Sequence, residues 1–188
     1  MAFVSNRFAL LLLAALTGFA AGAHAQETSS ADAVFIRGVA PLDEPRGLCL
    51  DIPGHRDRVD VTRDLVVHTC KRDIWNLDER FSESALRGGT LHMPAYDLCV
   101  SAGVGRSGGR VGLADCDGLA VQAWIFSAGR LTPRQSPDLC LTIGPEPSEL
   151  TPGGRRLPSR YVARSLGLAP CSDAAAERQR WMLEKPDG

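Results

Sequence analysis

Leu48-Cys49-Leu50-Asp51 opens a pattern that the chain uses three times, and this pattern decides the fold. Each unit starts with an apolar residue, a cysteine and a second apolar residue, continues to a second cysteine, and reaches a tryptophan after a short spacer. The other two units begin at Leu98-Cys99-Val100-Ser101 and Leu139-Cys140-Leu141-Thr142. Because one such unit cannot bury its own apolar face, the repeat predicts three units packed around a pseudo-threefold axis.

The local pattern within the units is typical of β-strands. Val111-Gly112-Leu113-Ala114 and Trp124-Ile125-Phe126 are short apolar segments, and clusters of glycine, proline and aspartate bound such segments. No long amphipathic helix is visible, so we predict an all-β domain. Residues 144–164 lie inside the third unit and are rich in proline, glycine and arginine, which predicts an exposed loop.

The chain has six cysteines, an even number that predicts disulfides in an exported protein. Pairing each unit's two cysteines is the simplest solution, and pairing between units is the alternative. The pairs within units are Cys49–Cys70, Cys99–Cys116 and Cys140–Cys171.

The N-terminus has the organisation of a secretory signal peptide over residues 1–25. A basic residue, Arg7, precedes the apolar run Phe8–Ala20, and Ala23-His24-Ala25 is a small-x-small cleavage site. The run is too short for a membrane span of about 20 apolar residues. We therefore expect export to the periplasm or the medium, with an uncleaved anchor as the alternative. A polar tail (26–34) and one domain (35–185, with repeats at about 35–85, 86–127 and 128–185) follow.

Composition and motifs argue against several function classes. The formal net charge of −1 disfavours a general nucleic-acid binder, which would be strongly basic. Histidines are dispersed and no Cys-x-x-Cys occurs, so we expect neither a metal nor a cofactor. Gly105-Arg106-Ser107-Gly108-Gly109 fits the Gly-x-Ser-x-Gly pattern, but that motif needs a strand, a sharp turn and a helix. Since Ser107 precedes a predicted strand, we do not expect an enzyme.

Over about residues 35–185 the chain resembles the ricin B-type lectin domain. The matching features are the Leu-Cys-Leu-Asp start, the cysteine pairs and a Gln-x-Trp motif. That motif is present as Gln122-Ala123-Trp124 and Gln179-Arg180-Trp181, and in degenerate form as Asp73-Ile74-Trp75. The resemblance implies a β-trefoil, in which a six-stranded barrel is capped by three hairpins. It also implies that the tryptophans fill the core and the glutamines hold a nearby turn.

The resemblance further implies where a sugar would bind. A carboxylate after the Cys-Leu start accepts hydrogen bonds, an aromatic ring two residues before the second cysteine stacks on the sugar, and a polar side chain near Gln-x-Trp completes the pocket. The first unit offers Asp51, His68 and Asp73, with Arg72 beside them. The acceptor and ring positions in the other units hold Ser101 and Ala114, and Thr142 and Ala169. We therefore expect at most one sugar site of the family type, in the first repeat.

Each of these candidates also has a purely structural interpretation. Asp51 can stabilise a turn, His68 can be an ordinary strand residue, and Asp73 can hold the backbone of a turn, as Gln does in the other units. The expected function is a secreted carbohydrate-binding module whose partner is a glycan. The alternative is a trefoil that binds a protein partner, as do the ricin-like subunits of cytolethal distending toxins. The insertion also contains Arg155, Arg156, Arg160 and Arg164. They suggest an anionic glycan, a lipid head group or an acidic partner as ligand, or a merely solvated loop.

Overall fold

Short strands separated by tight turns make up the chain. The computed structural model describes residues 30–72, 74–103 and 109–186; the predicted signal peptide, Asp73 and Ser107 lie outside these ranges. The strands within them are β1 Ala33–Gly38, β2 Leu48–Asp51, β3 Val66–Thr69, β4 Phe81–Ser82, β5 His92–Met93, β6 Leu98–Ala102, β7 Val111–Asp115, β8 Trp124–Ser127, β9 Arg130–Pro133, β10 Leu139–Ile143, β11 Glu149–Leu150, β12 Val162–Pro170 and β13 Trp181–Glu184. The helices are α1 Glu83–Arg87, α2 Pro152–Arg156 and α3 Ala176–Gln179, and 3₁₀ turns span Ser30–Asp32, Arg56–Arg58, Leu77–Glu79 and Ala120–Gln122. None of the helices in the described ranges is long and apolar enough to cross a membrane.

Three equivalent hairpins, β2–β3, β6–β7 and β10–β12, carry the cysteines. In each hairpin the first cysteine lies opposite the residue two positions before the second cysteine; these pairs are Cys49 with His68, Cys99 with Ala114, and Cys140 with Ala169. The disulfides are Cys49–Cys70, Cys99–Cys116 and Cys140–Cys171. The predicted pairing within units is therefore confirmed, and pairing between units is wrong.

The two ends of the domain meet in the sheet. β1 pairs antiparallel with β13, so that Gly38 lies opposite Trp181, and β8 pairs with β9 where the second unit joins the third. β12 also pairs with β3, which links the third hairpin to the first. With the three hairpins, these pairings confirm the predicted β-trefoil. β1 already begins at Ala33 because Ala33 pairs with Ser82 of β4.

The tryptophans of the second and third units occupy equivalent places in the core. Trp124 and Trp181 are 1% and 2% exposed. Their indole Nε1 atoms donate to Val100 O at 2.9 Å and Leu141 O at 3.0 Å. Each ring therefore fills the core while its polar N–H is satisfied by the neighbouring hairpin. The predicted core role of these tryptophans is confirmed.

In the first unit the core position belongs to Phe81 and not to Trp75. Phe81 begins β4 and is fully buried, as Trp124 and Trp181 are where they begin β8 and β13. Trp75 is only partly buried, and its ring lies edge-on to His55 with centroids 5.2 Å apart. The motif of the first unit is therefore Glu79-Arg80-Phe81, and its assignment to Asp73-Ile74-Trp75 was wrong.

The 144–164 insertion has regular structure of its own. It contains β11 and α2, and its end starts the long strand β12. The hydroxyl of Thr151 caps α2 by accepting from Gly154 N at 2.9 Å. The expectation of a simple exposed loop was therefore incomplete, because β11 pairs with β12 and holds the insertion against the domain.

Candidate functional site

The hairpin β2–β3 and the turn after it bring together the ionisable residues of the first repeat. Asp51 ends β2 and is 1% exposed. Its Oδ2 accepts from the Lys71 ammonium at 2.8 Å, and the same ammonium donates to Asp78 Oδ2 at 2.5 Å. Glu79 lies beside them with its Oε2 accepting from Lys71 N at 2.8 Å. We call Asp51, His68, Lys71, Asp78 and Glu79 the first-repeat cluster.

Burial sets the protonation of this cluster. Burial raises the pKa of Asp51 well above its usual range, although the Lys71 charge pulls it down. Burial likewise raises the pKa of Glu79 to about 8, against the opposing charge of Lys71. Burial alone would lower the pKa of Lys71, but the surrounding carboxylates, Asp51 first, outweigh it and raise that pKa. At neutral pH Lys71 is therefore charged and Glu79 largely protonated.

His68 lies in β3 at the position where a sugar-stacking ring was expected. Its side chain is mostly buried, and its Nδ1 donates to Thr69 O at 2.8 Å. Burial lowers the pKa of His68, so the ring is neutral at pH 7. The ring of Tyr161, from the insertion, lies edge-on to it with centroids 5.4 Å apart. Tyr161 thus lies against the face where a ligand would be expected.

Arg72, a further predicted site residue, does not join the cluster. The Arg72 guanidinium donates from Nε to Glu184 Oε1 at 2.7 Å and from Nη1 to Arg46 O at 2.7 Å. It therefore points along the surface and away from Asp51. Asp73 lies outside the described residues. The structure brings Asp51 and His68 together and leaves Arg72 apart.

Three members of the cluster were not predicted from sequence. Lys71, Asp78 and Glu79 are buried charged residues that no motif search selects. One signal was available for Glu79, because Glu79-Arg80-Phe81 has the spacing of Gln-x-Trp with a glutamate for the glutamine and a phenylalanine for the tryptophan.

The equivalent positions of the other repeats are occupied by interior hydrogen bonds. Gln122 Nε2 donates to Ser101 Oγ at 3.3 Å, and Gln179 Nε2 donates to Thr142 Oγ1 at 3.0 Å. Thr142 Oγ1 also donates to Cys140 O at 2.7 Å. The ring positions are alanines, as the sequence showed. These two repeats therefore present neither a carboxylate acceptor nor an aromatic platform.

The cluster also has the donor set of a metal site. Asp51, His68 and Glu79 each offer a ligand atom, and these atoms lie within 4.8 Å of one another. The Lys71 ammonium already lies 2.8 Å from the Asp51 carboxylate. Lys71 thus supplies the positive charge that a cation would otherwise bring, and the described geometry supports an internal ion cluster.

Comparison with solved structures identifies the architecture. The chain is similar to the mdaA-1 domain (14% identity, covering 82% of this chain and 90% of that one, TM-score 0.56). It is also similar to the β-trefoil lectin of the Vibrio vulnificus hemolysin/cytolysin with N-acetyl-D-lactosamine bound (14% identity, 82% and 94% covered, TM-score 0.53). A third similar structure is the C-half of the earthworm R-type lectin in complex with GalNAc (13% identity, 81% and 98% covered, TM-score 0.51). No family model and no curated protein matches the chain. These likenesses show a ricin B-like trefoil fold.

Proposed function

We propose that this protein is a carbohydrate-binding module of the lectin type with one sugar site, in the first repeat. The observation that carries the proposal is a set of buried carboxylate oxygens: Asp51 Oδ1, Asp78 Oδ1 and Glu79 Oε1 have no hydrogen-bond partner among the described residues. Buried polar oxygens are normally satisfied, and sugar hydroxyls could donate to Asp51 Oδ1 and Asp78 Oδ1 and accept from the protonated Glu79 carboxyl. Similarly folded proteins solved with GalNAc or N-acetyl-D-lactosamine support the class of ligand.

Access to this site requires a local rearrangement. Asp51 and His68 are almost completely buried, and the Tyr161 ring lies edge-on to His68, so a sugar would reach them only after surrounding side chains move. Arg72 and Asp73, which follow Lys71 in the sequence, are the other residues proposed for the site. Binding would be weak, since a part of the interaction energy is spent on opening the site.

We also propose that the protein is exported and that its role is not catalytic. Three disulfides are the form that cysteines take in oxidising compartments, which supports a periplasmic or extracellular location. The acids of the first-repeat cluster are enclosed and bonded to Lys71, an arrangement suited to holding structure and hydroxyl groups.

A glycan array tests the proposal directly. We would probe the exported protein beside Asp51→Asn, which removes the charge but keeps the shape, and beside Ser101→Ala, which alters the equivalent position of the second repeat. Circular dichroism and thermal unfolding would verify that each variant is folded. We expect binding to a defined sugar group that Asp51→Asn loses and Ser101→Ala keeps. Binding that survives Asp51→Asn would place the site elsewhere.

A protein-binding trefoil is the second candidate, and one observation favours it. The side chains at the sugar-acceptor position, Asp51, Ser101 and Thr142, all hydrogen-bond inside the protein. Ile74 and Leu77, 43% and 39% exposed, flank the first-repeat cluster and would suit a protein contact. A folded protein that binds no glycan on the array, but binds an exported partner through Ile74 and Leu77, would favour this role.

A further inference from the structure

A group of arginines on the insertion lacks counter-charges. Residues 151–160 contain three arginines and no acidic residue. Arg155, Arg156 and Arg160 are exposed, and none of them forms an ion pair with another described residue. The whole chain has a formal net charge of −1, so this concentration of positive charge is local.

The insertion presents these side chains from an ordered backbone. Thr151 N donates to Tyr161 O at 3.0 Å, and Arg155 N donates to Thr151 O at 2.9 Å. At Gly154 a Cβ atom would lie 2.0 Å from Tyr161 O, so only glycine allows this close approach. A backbone that is already ordered loses little entropy when a ligand binds.

Two more arginines extend the group toward the first repeat. The Arg46 guanidinium donates to Ser159 O at 2.6 Å and lies over the Tyr161 ring, 5.1 Å from its centroid. Arg72 Nη1 in turn donates to Arg46 O at 2.7 Å. Arg46 Nη2 also donates to Arg160 O at 3.3 Å. We call Arg46, Arg72, Arg155, Arg156 and Arg160 the arginine surface. Arg46 pairs with Glu44 and Arg72 with Glu184, and the other three have no carboxylate partner among the described residues.

We propose that the arginine surface binds an anionic polysaccharide, a chain that carries sulfate or uronate groups. The planar guanidinium matches sulfate and carboxylate oxygens in a bidentate geometry. A linear polyanion suits several separate arginines better than a single small anion does, because successive charged groups of the polymer can bind successive side chains. This surface shares only Arg72 with the residues proposed for the sugar site, and it does not need Asp51 to bind a sugar.

Heparin, polygalacturonate and neutral dextran are the probes. The test variant combines Arg155→Gln, Arg156→Gln and Arg160→Asn; asparagine is chosen because Arg160 has a φ of 50° and asparagine tolerates that region. The matched control removes the same number of charges elsewhere, with Arg63→Gln, Arg87→Gln and Arg134→Gln, three exposed arginines outside the surface. Affinity would be measured by calorimetry at several salt concentrations.

We expect the exported protein and the control to bind at least one polyanion and to ignore dextran. The affinity of the test variant should fall by about tenfold or by more. Its salt dependence should be shallower, since fewer counterions are released. Asp51→Asn should bind polyanions like the unmodified protein, which separates this result from any failure of the sugar site.

Three outcomes would overturn the proposal. The first is equal affinity of the test variant and the control, and the second is no binding of the folded protein to either polyanion. The third is binding only to vesicles of phosphatidylcholine with phosphatidylserine, lost in the test variant, which would assign the surface to a membrane. Leu157, 58% exposed beside Arg156, is the residue that would insert there.

Discussion

Glu79 holds in the first repeat the place that Gln122 holds in the second. Glu79 Oε2 accepts from Lys71 N at 2.8 Å, and Gln122 Oε1 accepts from Asp117 N at 3.2 Å; each donor is the residue after its repeat's second cysteine. A glutamine also donates through its amide, as Gln122 Nε2 does to Asp115 O at 2.7 Å, whereas a glutamate has no N–H and donates only through an O–H when it is protonated. In the first repeat the His68 Nδ1 makes the equivalent bond, to Thr69 O.

Because the first repeat has a glutamate where the second has a glutamine, we predict that the stability of the unmodified protein depends on pH. Glu79→Gln should remove this dependence. Burial raises the pKa of Glu79 to about 8 in the folded protein, from the value of 4.5 that a glutamate has when it is not buried. The stability linked to this proton is fully present below pH 4.5 and is lost as pH rises through 8. At pH 9 we expect Glu79→Gln to be more stable than the unmodified protein by about 2–4 kcal/mol, as urea unfolding would measure.

Gln122→Glu is the matched control for that measurement. It places a glutamate in the equivalent position of the second repeat, where no lysine follows the cysteine. We expect it to lose stability as pH rises, the opposite of Glu79→Gln. Parallel pH profiles for the unmodified protein and Glu79→Gln would show that Glu79 does not titrate in this range.

Lys71→Met should destabilise the fold strongly. Lys71 is 2% exposed, and its removal leaves Asp51 and Asp78 buried without their cation. We expect a loss of about 3–5 kcal/mol in the free energy of unfolding. Arg87→Met breaks an exposed pair with Glu83 and should change the free energy of unfolding far less. Similar losses in the two variants would mean that the buried cluster contributes no more than a surface ion pair.

Alanine substitutions of the large aromatic residues test which of them the core uses. Phe81→Ala should lower the free energy of unfolding by about 3–5 kcal/mol, as Trp124→Ala should, because both side chains are fully enclosed. Trp75→Ala should lower it by clearly less, since Trp75 is only partly buried and packs edge-on against His55. Chemical denaturation would rank them, and a larger loss for Trp75→Ala than for Phe81→Ala would contradict the assignment of the motif.

Removing any one disulfide should have a similar effect. The loops closed by the three bonds span 17, 21 and 31 residues. Loop closure of this size stabilises by about 3 kcal/mol each in the chain-entropy picture, and it varies only slowly with length. Paired Cys→Ala variants, compared by urea unfolding, should therefore differ from one another by less than about 1 kcal/mol. If the losses of the three variants differed by several kcal/mol, local packing around each bond, and not loop closure, would determine what the disulfide contributes.

The sequence predicted the parts of the fold that recur. Cysteine pairs occur at equivalent positions in every repeat, so the hairpins and the disulfides followed from comparing the repeats, and the resemblance to the ricin B-type lectin domain implied the trefoil. Trp75 misled the comparison because it lies five residues after Cys70, whereas Trp124 and Trp181 follow their cysteines by eight and ten. Phe81, eleven residues after Cys70, was the better match.

The candidate site was less predictable than the fold. Asp51 and His68 were selected from their positions, but the burial of Lys71 between Asp51 and Asp78 could not be foreseen. Lysines are rarely fully buried, and the direction that such a side chain takes depends on contacts made by residues far away in sequence. Tyr161, which lies against His68, comes from an insertion that the other repeats lack.

Each disulfide closes a loop inside its own repeat, and no disulfide joins one repeat to another. The backbone is therefore the only covalent connection between the three repeats. A protease that cut the exposed turn at Ala128, between β8 and β9, would leave two fragments held together by strand pairing, core packing and ion pairs alone. Such a nicked protein would migrate as one species when native and would separate in denaturant without any reducing agent.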